Sequence, residues 1–178
     1  MRTLLLLAAL CVPAAALDWH DEGREPIHVG GGLASYNAAT RDASGNIGAV
    51  FSAGALLPIA AAWGPPGIDV DWRSADGTKG RVDHGDVMLA LRHTIDRTGV
   101  FLGAGAGLGW GRYRPSGTTA PFEAASGFGP CAKGVAGYAQ GPLYCEAAYI
   151  FPAPIDGVRL DGFALTVGLR FGSGWYRP

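Results

Sequence analysis

Bulky apolar residues alternate with small or polar ones along most of this chain. The last such run is the clearest. Phe163, Leu165, Val167, Leu169 and Phe171 share one parity, while Ala164, Thr166, Gly168 and Arg170 share the other. Successive side chains leave a strand on opposite faces, so the run predicts a strand with one bulky apolar face and one small or polar face. The same alternation predicts strands over 27–36, 47–63, 68–74, 81–94, 100–113, 131–140 and 143–151. In 68–74, Ile68, Val70 and Trp72 oppose Asp69, Asp71 and Arg73. In 81–94, Val87, Leu89 and Leu91 oppose Asp86, Met88, Ala90 and Arg92. In 100–113, a stripe of Gly103, Gly105, Gly107, Gly109 and Gly111 opposes Val100, Leu102, Leu108 and Trp110. Connections rich in Gly, Pro, Asn and Asp fall between the runs, where turn dihedrals need them.

Eight consecutive strands predict an all-β fold, an eight-stranded antiparallel up-and-down barrel occupying 27–178. Two environments suit the alternation. In a transmembrane barrel the apolar face meets lipid and the small or polar face lines the lumen. In a soluble, lipocalin-like barrel the faces are reversed and an apolar ligand is held inside. Gly and Ala opposite the bulky residues favour the first, because a soluble surface more often carries Lys and Glu. The connections agree. An even strand number brings both chain ends to one side, where the turns at 63–67, 96–99 and 141–142 are short. The connections at 37–46, 75–80, 114–130 and 152–161 then form the outer set, longer apart from 75–80. Aromatic residues at strand ends are expected at the membrane interfaces: Trp63 and Phe171 at the inner end, Trp110, Tyr113, Tyr149 and Phe151 at the outer.

The N-terminus supplies an address. Arg2, an apolar run over 4–12 and Pro13-Ala-Ala-Ala16 read as a signal peptide over 1–16, cleaved after Ala16. Residues 17–26 follow as a polar, exposed lead. Export from a Gram-negative cytoplasm to the outer membrane is the expected route. The 29 glycines oppose long helices. The 14 Lys+Arg nearly balance 15 Asp+Glu and form no basic stripe, which argues against nucleic acid. Cleavage leaves Cys131 and Cys145, and an exported location leaves a disulfide between them open.

Candidate chemistry is sparse. Asp69, Asp71, Arg73, Asp86, Arg92, Glu146 and Arg170 all fall on the inward face of the transmembrane reading. Charges in a narrow lumen must be paired or hydrated, which predicts an ion-pair network filling the barrel. A gate on a narrow, porin-like solute path is the alternative. The glycine stripe is no dinucleotide loop, because it lies inside a strand pattern with no helix after it. No metal site and no cofactor is expected. Signal peptide, alternating strands and the terminal run from Phe163 to Phe171 together resemble the small bacterial outer-membrane β-barrels of the OmpA transmembrane-domain and OmpX/Ail type. Such chains commonly end on the aromatic residue, whereas this one continues from Gly172 to Pro178. The resemblance implies a non-enzymatic structural or surface-interaction role. The implied partners are outer-membrane lipid, the assembly machinery, and an extracellular partner through outer loops carrying Tyr113, Phe122 and Phe128. Lipid-modifying barrels of similar size carry His followed two positions later by Ser. His20, His28, His84 and His93 are followed there by Glu22, Gly30, Asp86 and Ile95.

Overall fold

The computed structural model describes residues 27–57, 66–95, 98–117 and 119–171. The expected signal peptide, the 17–26 lead, Trp63 and the tail after Phe171 lie outside the described residues. Among the described residues the strands are β1 (Ile27–Tyr36), β2 (Gly48–Leu56), β3 (Pro66–Gly77), β4 (Gly80–Thr94), β5 (Val100–Pro115), β6 (Ala125–Gln140), β7 (Leu143–Pro152) and β8 (Gly162–Phe171), with one helix, α1 (Ala38–Ser44). Each strand pairs antiparallel with its chain neighbour. β1 closes on β8 from Ile27↔Phe171 to Tyr36↔Gly162, so the sheet is a closed barrel. Closure removes the unpaired edges that an open sheet would expose.

Three local differences from the sequence expectation have physical causes. The connection at 37–46 contains α1 instead of a plain loop. Asn37 caps it, its Oδ1 accepting from the Thr40 amide at 3.2 Å, and alanines follow. β6 starts at Ala125, six residues before its expected start, and runs through Pro130. Pro130 aims its carbonyl at the Ala153 amide, so its missing N–H faces the end of β7 and not the β5 ladder. The second strand is described only to Leu56, and the turn expected at 63–67 contributes Pro66 and Gly67 to β3.

Strand length shapes the barrel. β4, β5 and β6 have 15, 16 and 16 residues, against 10, 9, 10 and 10 in β1, β2, β7 and β8. The wall is therefore tall on one side, and α1 and the 153–161 connection pack inward over the short side. Ala43 of α1 and Ile155, Val158 and Leu160 join Tyr36, Ala75, Val82, Tyr113 and Ala125 in one buried apolar cluster, with Phe122 against it.

The glycine stripe of β5 makes room for this filling. A Cβ on Gly111 would strike the side chains of Leu160 and Ile155, and one on Gly105 would lie 3.4 Å from Lys133 Cγ. We expect Gly111→Val to cost about 1–3 kcal/mol by overpacking, read as a lower urea midpoint. Gly134→Val, where a Cβ would meet nothing within 4 Å, should leave the midpoint unchanged.

Candidate functional site

The inward faces of β1, β3, β4, β6 and β7 bring charged side chains together. At their centre Asp69, with no exposed surface, is ion-paired to two cations. Arg92 reaches it from β4, NH1 to Oδ1 at 3.0 Å and NH2 to Oδ2 at 2.8 Å. Lys133 reaches it from β6, Nζ to Oδ2 at 2.8 Å. Each cation is shared. Arg92 also donates from Nε and NH2 to Glu146 Oε2 at 3.1 and 2.9 Å, and Lys133 lies 2.6 Å from Asp71 Oδ2. His28 sits across Gly54 from Asp69, with Nε2 at 3.5 Å from Oδ1, and meets the Tyr144 ring edge-on at 5.6 Å.

A second cluster lies toward the loop end. Arg73, fully buried, places NH2 at 3.0 Å from His84 Nδ1 and donates to the Leu160 carbonyl at 3.2 Å. Its guanidinium stands 5.1 Å from the centre of the Tyr36 ring. Asp86 Oδ2 lies 3.5 Å from His84 Nδ1.

The seven residues expected in one lumen network are thus distributed. Arg92 joins Asp69 to Glu146, and Lys133 joins Asp69 to Asp71. Arg73 and Asp86 belong to the second cluster with His84. Arg170 is opposite His28 in the β1–β8 register, at the turn end. Lys133, His28 and His84 were missing from the expectation. Lys133 shares parity with Cys131 and Val135, both buried, and that parity was the signal for it. Gly129, Pro130 and Gly134 blur the alternation there. The two histidines fall on the inward parity too, but a histidine carries no obligatory charge to mark it.

The cysteines are a correction. Cys131 and Cys145 form no disulfide with each other. Cys131 pairs with Pro152 and Cys145 with Tyr138, seven rungs apart on the same strand pair. Cys131 shares the buried parity of Lys133, while Cys145 has the parity of the exposed Leu143 and Ala147. Tyr113 is a second correction. Expected among the interfacial aromatics, it is buried on the glycine face of β5, donates to the Lys79 carbonyl at 3.1 Å and packs edge-on against Phe122. Its odd number places it with Gly111 and opposite Trp110, so strict parity already carried this answer. Trp110 lies on the outer face, stacked on Trp72 at 5.7 Å across Gly85, with Phe128 next to it on β6. Phe128 is therefore on the barrel wall instead of in a loop. Tyr149 packs against the exposed Phe151 and Phe163, and Phe171 is exposed at the turn end.

The loop end is stitched together by Asp161. Its Oδ1 accepts from Asn37 Nδ2 at 2.9 Å and from Arg159 Nε at 3.2 Å, and its Oδ2 from Tyr149 at 2.7 Å. Asn37 and Thr40 of the α1 cap also donate to the Arg159 carbonyl. Burial opposes charge on Asp161, but the Tyr149 and Asn37 hydrogen bonds and the Arg159 charge outweigh it and hold the carboxyl below its ordinary range.

No protein-family model and no curated protein sequence matches the chain. Solved structures do. The crystal structure of Ail, the attachment invasion locus protein of Yersinia pestis, in complex with the heparin analogue sucrose octasulfate, superposes with a TM-score of 0.55 at 15% identity, covering 82% of this chain and 97% of Ail. The backbone structure of Yersinia pestis outer membrane protein Ail in a phospholipid bilayer nanodisc gives 0.53 at 15% identity, covering 83% and 100%. The likeness establishes the fold alone: the chain is a closed, eight-stranded antiparallel barrel similar to that of Ail.

Two outcomes follow. Arg92→Ala leaves Asp69 and Glu146 short of a shared cation inside the barrel, and we expect a loss of about 3–5 kcal/mol in urea unfolding. A depressed carboxyl contributes stability above its unfolded value and loses it as pH falls through the folded value. Docking of 153–161, read by limited proteolysis, should therefore weaken only below the ordinary carboxylate range. In Asp161→Asn it should be weak at every pH.

Proposed function

We propose that the chain is a transmembrane barrel of a bacterial outer membrane, exported by its signal peptide, whose lumen is filled by side chains and ion pairs. Its role is structural or one of surface interaction through the loop end. One observation carries this reading: the barrel is apolar outside and charged inside. Phe51, Leu89, Leu108 and Phe163 are 57, 58, 67 and 63% exposed, whereas Asp69 and Arg73 have no exposure. A soluble lipocalin-like barrel needs the reverse, and the ion pairs across this interior occupy the place of an apolar ligand. No helix among the described residues is long and apolar enough to cross a membrane, but strands of a closed barrel satisfy their own backbone groups and can. The stacked Trp72 and Trp110, with Phe128 beside them, suit an outer interfacial girdle.

Above that girdle the wall carries three arginines, one of which, Arg81, is forked onto Asp83. Arg81 and Arg114 are paired across β4 and β5, Arg112 lies one outward-facing position below Arg114, and all three are exposed. Ail has been crystallised with a sulfated sugar. The exposed arginines here make an anionic glycan the partner class we propose for this end. In this reading the protein is a non-enzyme.

Membrane fractionation with gel mobility before and after boiling tests the location. We expect an outer-membrane band whose mobility shifts on heating, and a soluble periplasmic protein would refute the reading. In planar bilayers the wild type should conduct little. A steady wild-type conductance would favour the narrow-channel alternative, in which Arg92→Ala should enlarge it. Retention on immobilised heparin should fall in Arg112→Glu/Arg114→Glu with the heat shift intact. Unchanged retention would remove the glycan assignment.

A further inference from the structure

We propose that His84, Asp86 and Cys131 form a binding site inside the barrel for a thiophilic divalent cation of the zinc class. The three residues offer nitrogen, oxygen and sulfur ligand atoms that all lie within 4.8 Å of one another. His84 and Asp86 are two apart on β4 and therefore on one face, and Cys131 comes from β6, on the far side of β5. The strand between them carries no side chain at this level. A Cβ on Gly109 would sit 2.9 Å from His84 Nε2 and 3.3 Å from Cys131 Cβ, so the imidazole and the thiol side chain converge over that glycine. Alanine at this position would crowd both donors.

A second observation points to a ligand. His84 is 1% exposed and Asp86 4% exposed, yet His84 Nε2 and both Asp86 carboxylate oxygens find no hydrogen-bond partner among the described residues. Buried polar atoms are almost always satisfied, and a carboxylate with two bare oxygens is among the costliest exceptions. One cation would engage the imidazole and the carboxylate together. The donor set selects its class. Magnesium and calcium take oxygen ligands, whereas Cys, His and Asp together suit zinc. A thiolate and a carboxylate also balance the charge of a divalent ion.

Arg73 defines what loading must change. A guanidinium only donates, so its NH2, 3.0 Å from His84 Nδ1, places the imidazole proton on Nε2 in the unloaded form. On loading, Cys131 releases its thiol proton to solvent and its sulfur binds the ion. The imidazole proton stays on Nε2, and Nδ1 becomes a ligand. Asp86 Oδ2 lies 3.5 Å from Nδ1, a spacing that lets both bind one ion. Arg73 then turns off the ring and keeps its bond to the Leu160 carbonyl. One thiol proton is released per ion and no oxidant or reductant is needed.

The test uses the full-length chain with Cys11→Ser and Cys145→Ser, folded in detergent and checked by heat-dependent gel mobility. Cd2+ is the optical probe, because cadmium–thiolate bonds absorb in the near ultraviolet, and Zn2+ is the competitor. We expect one Cd2+ per barrel, displaced by Zn2+ and not by Mg2+. Affinity should fall about tenfold or more in His84→Gln and in Asp86→Asn. The absorbance should vanish in Cys131→Ser. Alkylation of Cys131 in the unsubstituted site should be slowed by Zn2+, a readout that holds even if a ligand variant fails to fold. No cadmium–thiolate band together with unprotected alkylation would overturn the proposal. So would a band that His84→Gln and Asp86→Asn, both folded, leave unchanged.

Discussion

Asp69 is the point on which the interior depends. Its carboxylate has no contact with solvent, and it is held by Arg92 from β4 and Lys133 from β6. Because each cation also serves a second acid, Glu146 or Asp71, no single pair can be removed alone. A barrel of eight strands has an interior about as wide as its own side chains, so charges placed there meet whether or not they match. Around Asp69 they match across the lumen. The wall positions the ions, and the ions cross-link the wall. The cost of desolvating each ion means the arrangement is better regarded as fixing one interior geometry than as a surplus of stability.

The fold was legible because its signal is local and repeated. Parity alone separated Asp69, Asp71 and Arg73 from Ile68, Val70 and Trp72, and it placed Asp86, Met88, Ala90 and Arg92 together on β4. Parity failed where the residues are small. On β6 the run of Gly127, Gly129, Pro130 and Gly134 erases the contrast between faces, so the strand looked short and Lys133 was not counted. Tyr113 shows the opposite error. An aromatic residue near a strand end suggests an interface, but its parity put it inside.

The partition of the lumen into two clusters was not legible at all. It depends on register between strands, and register is set by turns and closure rather than by any one strand's pattern. Asp86 belongs with His84 because the two are on one face of β4, but Cys131 reaches them only because β5 carries glycine between. The same applies at the loop end. Asn37, Thr40, Tyr149 and Asp161 are far apart in sequence, and their hydrogen bonds appear only once β1 and β8 are neighbours.

That neighbourhood has a consequence for the chain as a line drawn around a ring. β1 and β8 pair over ten rungs like any adjacent strands, and Ile27 stands directly opposite Phe171. The ring itself has no first strand. Linking the neighbourhood of Phe171 to that of Ile27 and cutting at Gly141–Pro142 would begin the chain on β7 and leave every strand pairing in place. What chain order determines is when each strand becomes available, so β8 comes last and completes two pairings at once, with β7 and across the seam with β1.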